Sequence, residues 1–325
     1  MDPNTQGSVV ITPDSLAKSF QTYRQDLITM PVYGLSKLTP FVQTRLGVRY
    51  KETVGELTGD MQLAPYDPKT KDANDVNING RTLETFLGNA VKNFDPNSVI
   101  QSIYGSETVQ GEGLKNVPIT KKVWIYLMGR LGQHLYDSSF RAKRVEGGKT
   151  TDTLFNGFST IADTEIADGK MSAAIGNYHE LAADITINNA EDSVNEIFDA
   201  MDEKLKDEDT IMLMRPNYKM AYNRDYQNTH GSLPYNKEFN KTFVEGSDNK
   251  CEMVGLSCIP AGTIITTTRK NLLIGLATTG DKVNFSCEKA LDSYYQLAFV
   301  ASMFFGCQYE SINKERLLYT KVKTA

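Results

Sequence analysis

Residues 118–158 read PITKKVWIYLMGRLGQHLYDSSFRAKRVEGGKTTDTLFNGF, and this stretch decides the fold. Pro118 and Thr120 open a helix in which Trp124, Leu127, Met128, Leu131 and Leu135 recur at helical spacing. Arg141, Lys143 and Arg144 put positive charge in its expected last turn, and Gly147-Gly148 closes it. Thr120 to Arg144 is therefore expected as one rod of about 25 residues and about 37 Å, roughly twice an average globular helix. The turn Leu154-Phe155-Asn156-Gly157-Phe158 then leads into a mixed α/β region.

Upstream, Arg45 to Leu87 has a different character. Two arms, Val48–Leu57 and Val76–Leu87, are rich in Thr, Val, Leu and aromatic residues, and they flank the turn-forming run from Pro65 to Asp75. The pattern predicts a long β-hairpin with a broad polar tip. Alternation is imperfect, because Glu52 and Glu56 share a strand face with Val48, Tyr50 and Val54. So little apolar surface cannot support an isolated two-stranded ribbon, so something else must cover it. Ahead of the hairpin, Pro3, Gly7 and Pro13 precede an amphipathic stretch, Ser15 to Thr29, with Asp14 or Ser15 as cap. Asp95-Pro96 predicts a short helix that ends before Gly105, and Gly111-Glu112-Gly113 reads as a linker.

Downstream, a helix is expected from Ala190 to Leu205, capped by Asn188 or Asn189, with Val194, Ile197, Phe198, Met201 and Leu205 as its apolar face. A strand from Thr210 to Met214 runs into Arg215-Pro216-Asn217 and a helix over Tyr218–Tyr226. Tyr235 to Asp248 reads as loop. Strands follow at Cys251–Ile259 and Thr263–Thr268, separated by Pro260-Ala261-Gly262. Tyr294–Tyr309 and Arg316–Val322 read as strands of a final sheet, although Tyr294–Phe305 is also compatible with helix.

Composition points to an ordinary globular chain: 325 residues, 40% hydrophobic, 23% charged, net charge −5. A chain with that charge is no polyelectrolyte binder. Cys251, Cys258, Cys287 and Cys307 are spaced too irregularly for a disulfide framework or zinc ribbon and read as free thiols. The amino terminus lacks the order of a secretory signal, and no apolar run reaches the roughly 20 residues of a membrane span. His134, His179 and His230 lack metal-ligand spacing, and His179-Glu180 lacks the second histidine of a zincin helix. Nucleophile-elbow, P-loop and dinucleotide-binding patterns are absent. No catalytic, cofactor-binding or metal site is therefore expected, and the chain is not expected to be an enzyme.

Two charged groups leave alternatives open. Glu191, Asp192, Glu196, Asp199, Asp202, Glu203, Asp207, Glu208 and Asp209 could gather a divalent cation. They also read as a solvated outer face partnered by Lys204 and Lys206. Arg141 to Arg144 could touch nucleic-acid phosphate or simply complement the helix dipole.

Taken in order, these elements resemble the major capsid proteins of tailed bacteriophages with the Hong Kong ninety-seven fold. Leu154-Phe155-Asn156-Gly157-Phe158, with Ile161 soon after, is similar to the turn that follows the spine helix in that family. Leu256 to Gly262, and then Thr268-Arg269-Lys270-Asn271-Leu272 closed by Gly275, looks like its strand, turn and "T-x-x-N-L-x-x-G" strand. Met212 to Asn217 looks like the preceding axial element.

The resemblance implies an α+β chain with an N-terminal arm at 1–45, an extended hairpin loop at 46–92 and a peripheral domain with spine helix at 93–158. An axial α/β domain at 159–280 and a return to the peripheral domain at 281–325 complete it. It implies a subunit that self-assembles into hexamers and pentamers of an icosahedral shell around phage double-stranded DNA. The hairpin and arm would clasp neighbours. Scaffolding and portal proteins are implied partners, DNA would be contacted without sequence preference on the inner face, and no membrane is involved. The implied location is the virion capsid, assembled in the bacterial host cytoplasm. An encapsulin-like cellular nanocompartment shell, or another virion component of tail or neck, is the alternative. Some relatives cross-link a hairpin lysine to an asparagine of another subunit; Lys69 and Lys71 lie in the expected tip, but no partner asparagine can be matched.

Overall fold

The computed structural model describes residues 35–58, 77–95, 119–231, 242–277, 285–290 and 296–323. Expectations for Ser15–Thr29, the hairpin tip with Lys69 and Lys71, the helix after Asp95 and the Gly111–Gly113 linker lie outside these residues. In chain order come β1 (Gln43–Leu46), β2 (Lys51–Thr58), β3 (Asn77–Glu84), β4 (Phe86–Phe94), α1 (Ile119–Ser138) and α2 (Phe158–Ala167). Next are β5 (Tyr178–Leu181), α3 (Ala190–Asp199), α4 (Glu203–Asp207), β6 (Thr210–Met214), α5 (Pro216–His230) and β7 (Thr242–Phe243). The chain continues with β8 (Cys251–Gly255), β9 (Thr263–Thr268), β10 (Leu272–Ala277), β11 (Phe285–Lys289), β12 (Leu297–Tyr309) and β13 (Leu317–Val322). The fold is mixed α and β, and Tyr294–Tyr309, open between strand and helix in the sequence, forms strand over β12.

Two compact units share the chain. The larger takes 37–86, 137–277 and 305–325; residues 87–136 and 278–304 belong to the other. The larger unit is organised by a six-stranded mixed sheet in the order β5-β13-β9-β6-β8-β7. All five residues of β6 are buried, as is nearly all of β9 and β13. Strands covered on both faces read as unbroken apolar or Thr-rich runs, which is why β6 and β9 have the bounds the sequence predicts. On one face Met212, Met214, Ile264 and Leu318 pack with Val194 and Ile197 of α3 and Tyr222 of α5. Tyr319 points the other way, its hydroxyl donating to the Asp163 carboxylate of α2 at 3.3 Å.

The two motifs that carried the sequence reading have local causes. In Leu154–Phe158, Phe155 packs on Phe305 with ring centroids 4.6 Å apart, and Phe158 packs between Phe140 and Tyr309. The Asn156 amide oxygen accepts from the Arg144 backbone N–H at 2.9 Å. A Cβ on Gly157 would lie 2.5 Å from the Phe140 carbonyl carbon and oxygen, so only glycine allows the chain to pass there. In the second motif Asn271 is fully buried. Its Nδ2 donates to Thr267 Oγ1 at 2.9 Å and to the Arg316 carbonyl at 3.3 Å, while its Oδ1 accepts from Ser311 N–H at 2.8 Å. One amide thus ties β9 to the connection between β12 and β13, which is how a polar side chain is kept satisfied in a core.

The strand expected over Cys251–Ile259 ends at Gly255, the loop expected over Tyr235–Asp248 contains β7, and three helix expectations are corrected. The spine helix ends at Ser138, not Arg144, and spans 20 residues. The carbonyls of Ser139 and Phe140 accept from the N–H groups of Phe158 and Ser159 at 3.0 Å, giving the uncapped start of α2 its partners and turning the chain away from the rod. The basic residues therefore follow the helix instead of occupying its last turn, and the dipole reading for them falls. Along this rod Met128, Leu135 and Tyr136 are buried while Leu127 and Leu131 are only half-buried; the side chain of Trp124 lies outside the described ones. The helix expected over Ala190–Leu205 is two helices, because Asp202 caps a new start by accepting from Lys204 N–H at 3.1 Å. The apolar period runs on through Met201 and Leu205, which hides the break. Asn189 is the N-cap residue of α3, but its side chain bonds back to Thr186 instead of capping. The helix expected over Tyr218–Tyr226 begins earlier, at Pro216, and ends later, at His230, before the left-handed Gly231.

Candidate assembly element

The hairpin is a sheet of its own, β2 antiparallel to β3 from Lys51 opposite Glu84 to Thr58 opposite Asn77. Its root holds a minimal core, Val48, Val54 and Leu83 with Leu273 of β10. Burial there stabilises by about 25 cal/mol per Å² of apolar surface and cannot hold a ribbon by itself. The remainder of the anchorage is polar and steric, and every partner lies in the larger unit.

Arg81 is the centre of it. Its Nε donates to the Tyr309 carbonyl at 3.1 Å, and its Nη2 to Glu165 Oε1 at 2.7 Å and Gln308 Oε1 at 3.1 Å. Gln308 returns a bond from its Nε2 to the Thr82 carbonyl at 2.9 Å. The Arg81 and Glu165 side chains are 15% and 13% exposed, so the pair works with little solvent screening. Lys170, on the chain after α2, braces the same carboxylate at 3.2 Å, and this holds the lysine pKa above its usual value. Thr85 closes the root: its N–H donates to the Tyr50 carbonyl at 2.7 Å and its hydroxyl to the Val48 carbonyl at 3.1 Å. The first of these bonds holds the carbonyl of Tyr50, an exposed residue at φ +68°, a backbone conformation costly for an aromatic side chain.

Two glycines make the seat. A Cβ on Gly306 would lie 2.0 Å from the Glu84 carbonyl oxygen, and one on Gly275 would lie 2.6 Å from Thr85 Cγ2. Beside this seat a cavity of about 360 Å³ is lined by Arg81, Phe86, Asn156, Glu165 and Lys170 among others. Sequence reading found the hairpin arms and Gly275 but not Arg81, Glu165, Gln308 or Gly306 as a unit. An isolated glycine inside the apolar run of β12 was the available signal for close backbone approach.

The charged groups left open by the sequence are placed as follows. Arg141 pairs with Asp152 at 3.3 Å, and the Arg144 guanidinium lies 3.7 Å from the Phe86 ring centroid. The acidic residues are dispersed: Glu191 lies against His230 and Glu196 against His179, while Asp202 pairs with Lys314 and Asp207 with Lys250. Lys204 lies beside this face as expected, its charge and backbone N–H acting on Asp202, and its ammonium also reaches Glu315, while Lys206 donates to the Asp199 carbonyl. The Lys314 bond holds the Asp202 carboxyl below the usual carboxylate range. Among the described residues no group of three or more His, Cys, Asp or Glu side chains is arranged to hold a metal. Cys251, Cys258 and Cys307 are buried and not in disulfides, and burial pushes the Cys251 thiol up to about 11. No helix among the described residues is long and apolar enough to cross a membrane.

No protein-family model matches the sequence, and no curated protein matches it. Solved structures do. A chain of the satellite phage P4 procapsid including size determination (Sid) protein is similar over 93% of this chain and 100% of its own, with TM-score 0.56 and 11% identity. A chain of the capsid of the native GTA particle is similar over 100% and 96%, with TM-score 0.53 and 13% identity. One from Microbacterium phage Oxtober96 is similar over 89% and 91%, with TM-score 0.52 and 11% identity. At such identities the likeness is one of fold, and the fold is that of a phage capsid protein.

Proposed function

We propose that this chain is a major capsid protein that self-assembles into the hexamers and pentamers of an icosahedral shell around phage double-stranded DNA. The observation that carries the reading is the near-complete, end-to-end likeness of fold to chains of phage and phage-like particles. The hairpin supports it independently: a two-stranded ribbon with both outer edges unpaired among the described residues, whose described anchors to its own body lie at the root. Such a ribbon is completed by a neighbouring surface.

In this reading residues 1–45 are the arm, 46–92 the hairpin loop and 93–158 the peripheral domain with its spine. Residues 159–280 form the axial domain, and 281–325 return to the periphery. Copies of itself are the main partners, with scaffolding and portal proteins alongside. The inner face meets DNA through its phosphates, without sequence preference. The shell belongs to the virion and is assembled in the host cytoplasm, and the chain has no catalytic role.

Deletion of residues 60–75 tests the clasp. The variant is expected to keep its circular dichroism spectrum and cooperative melting while electron microscopy shows no closed shells. Loss of the folded state, or shells of normal size, sinks the clasp reading. Particles that enclose a host enzyme in place of nucleic acid would favour the nanocompartment alternative.

A further inference from the structure

Gly55 and Gly80 face one another in the register of β2 and β3, so one rung of the hairpin carries no side chain on either strand. The rung on its root side pairs Val54 with Arg81, which belong to the small core and to the polar clamp. Beyond it lie Glu56 opposite Asn79, Leu57 opposite Ile78 and Thr58 opposite Asn77. The anchors described above, at Arg81, Thr82, Glu84 and Thr85, all lie on the root side of the glycine rung.

Cross-strand side-chain pairs are the unit that stabilises a ribbon. Glycine in a strand interior removes that pair and widens the φ and ψ range of both backbones. A bare rung set directly against a clamped root makes stiffness fall at one defined position. We propose that the hairpin is a lever with a fixed root and a flexure at the Gly55–Gly80 rung. The distal rungs change direction relative to the body while Arg81 and everything rootward of it stay in place. Use of this lever to fit copies in unlike surroundings rests on the capsid reading; the flexure itself is a property of the single chain.

Pulsed electron–electron distance measurements on the soluble full chain test it, with nitroxides carried on genetically encoded non-cysteine residues. One pair spans positions 77 and 149, across the rung, and a second spans 82 and 149, on the root side of it. The expected result is a distal distribution about twice as wide as the root distribution, the signature of collective bending at one point. A Cβ at position 80 would stand 3.0 Å from Thr53 Cγ2, closer than ordinary contact, so the Thr53 side chain must give slightly to admit it, and the rung is then filled. Gly55→Val with Gly80→Ala should narrow the distal distribution to the root width, with an unchanged circular dichroism spectrum. If that double variant does not fold, Gly55→Ala alone should still narrow it measurably. Equal widths in the native chain, or a distal width that neither variant narrows, overturns the flexure. Electron microscopy of the same samples keeps the two ideas apart. Absent shells with a wide distal distribution count against the capsid reading alone, and normal shells with a narrow one count against the flexure alone.

Discussion

The six-stranded sheet and the hairpin are both β-structure, yet they solve the problem of holding strands together in opposite ways. The sheet buries strands on both faces, and β6 is covered along its whole length. The hairpin has four residues in its core and depends on one arginine, two glycine contacts and two hydrogen bonds from Thr85. Apolar burial is non-directional and spreads its stabilisation over many residues. A clamp of hydrogen bonds is directional and concentrates it at a point. The first arrangement suits a body that must not change. The second fixes an orientation and leaves the outer ribbon available to another surface.

The largest effect should come from the body. Phe158→Ala removes a fully buried ring from between Phe140 and Tyr309. It is expected to cost about 3–5 kcal/mol in urea unfolding, with loss of the whole cooperative transition to lower denaturant. A shift under about 1 kcal/mol would mean that the α2 face is not part of the core. At the hairpin the expected effect is smaller and local. Arg81→Met leaves the Glu165 carboxylate paired only with the half-exposed Lys170. About 3 kcal/mol is expected, near what breaking a buried pair costs, and Arg81→Met with Glu165→Met should recover most of it. Amide exchange should rise at β2 and β3 but not at β6 or β9. Uniform acceleration across the sheet would erase the distinction between body and lever.

The smallest effect is electrostatic. The Lys314 bond lowers the Asp202 carboxyl in the folded chain, so its stabilisation is present above the unfolded carboxylate range and is lost as pH falls through the lowered folded value. Asp202→Asn should therefore lower the melting temperature at pH 7 slightly and make no difference at strongly acid pH. It also tests the break between α3 and α4, since asparagine can still cap but cannot pair with Lys314.

Much of the body was legible because its causes are local. Continuous apolar runs identify β6 and β9, and α5 was found though its start at Pro216 was read two residues late. Leu154–Phe158 stands out because a sharp turn between aromatic anchors needs its glycine. The helix end at Ser138 was not legible, because the groups that take its following carbonyls are some twenty positions away, at Phe158 and Ser159. The clamp was hidden more deeply, since Arg81 meets partners 84, 227 and 228 positions along the chain. Charged residues in a half-alternating strand look like solvent face until their partners are known. The glycine rung was visible in the letters, but only the register sets Gly55 opposite Gly80.

Strand β13 lies between β5 and β9 in the larger sheet, paired parallel to one and antiparallel to the other. During synthesis, at about 5–20 residues per second, β5 and β9 leave the ribosome well before it. Until residues 317–322 emerge, β5 has no strand to pair with and the edge of β9 that β13 will cover stays open. A nascent chain in that state cannot present the finished body, so completion of the fold doubles as a check that translation has run through β13. Products that stop short of β13 carry open strands instead of a sealed sheet.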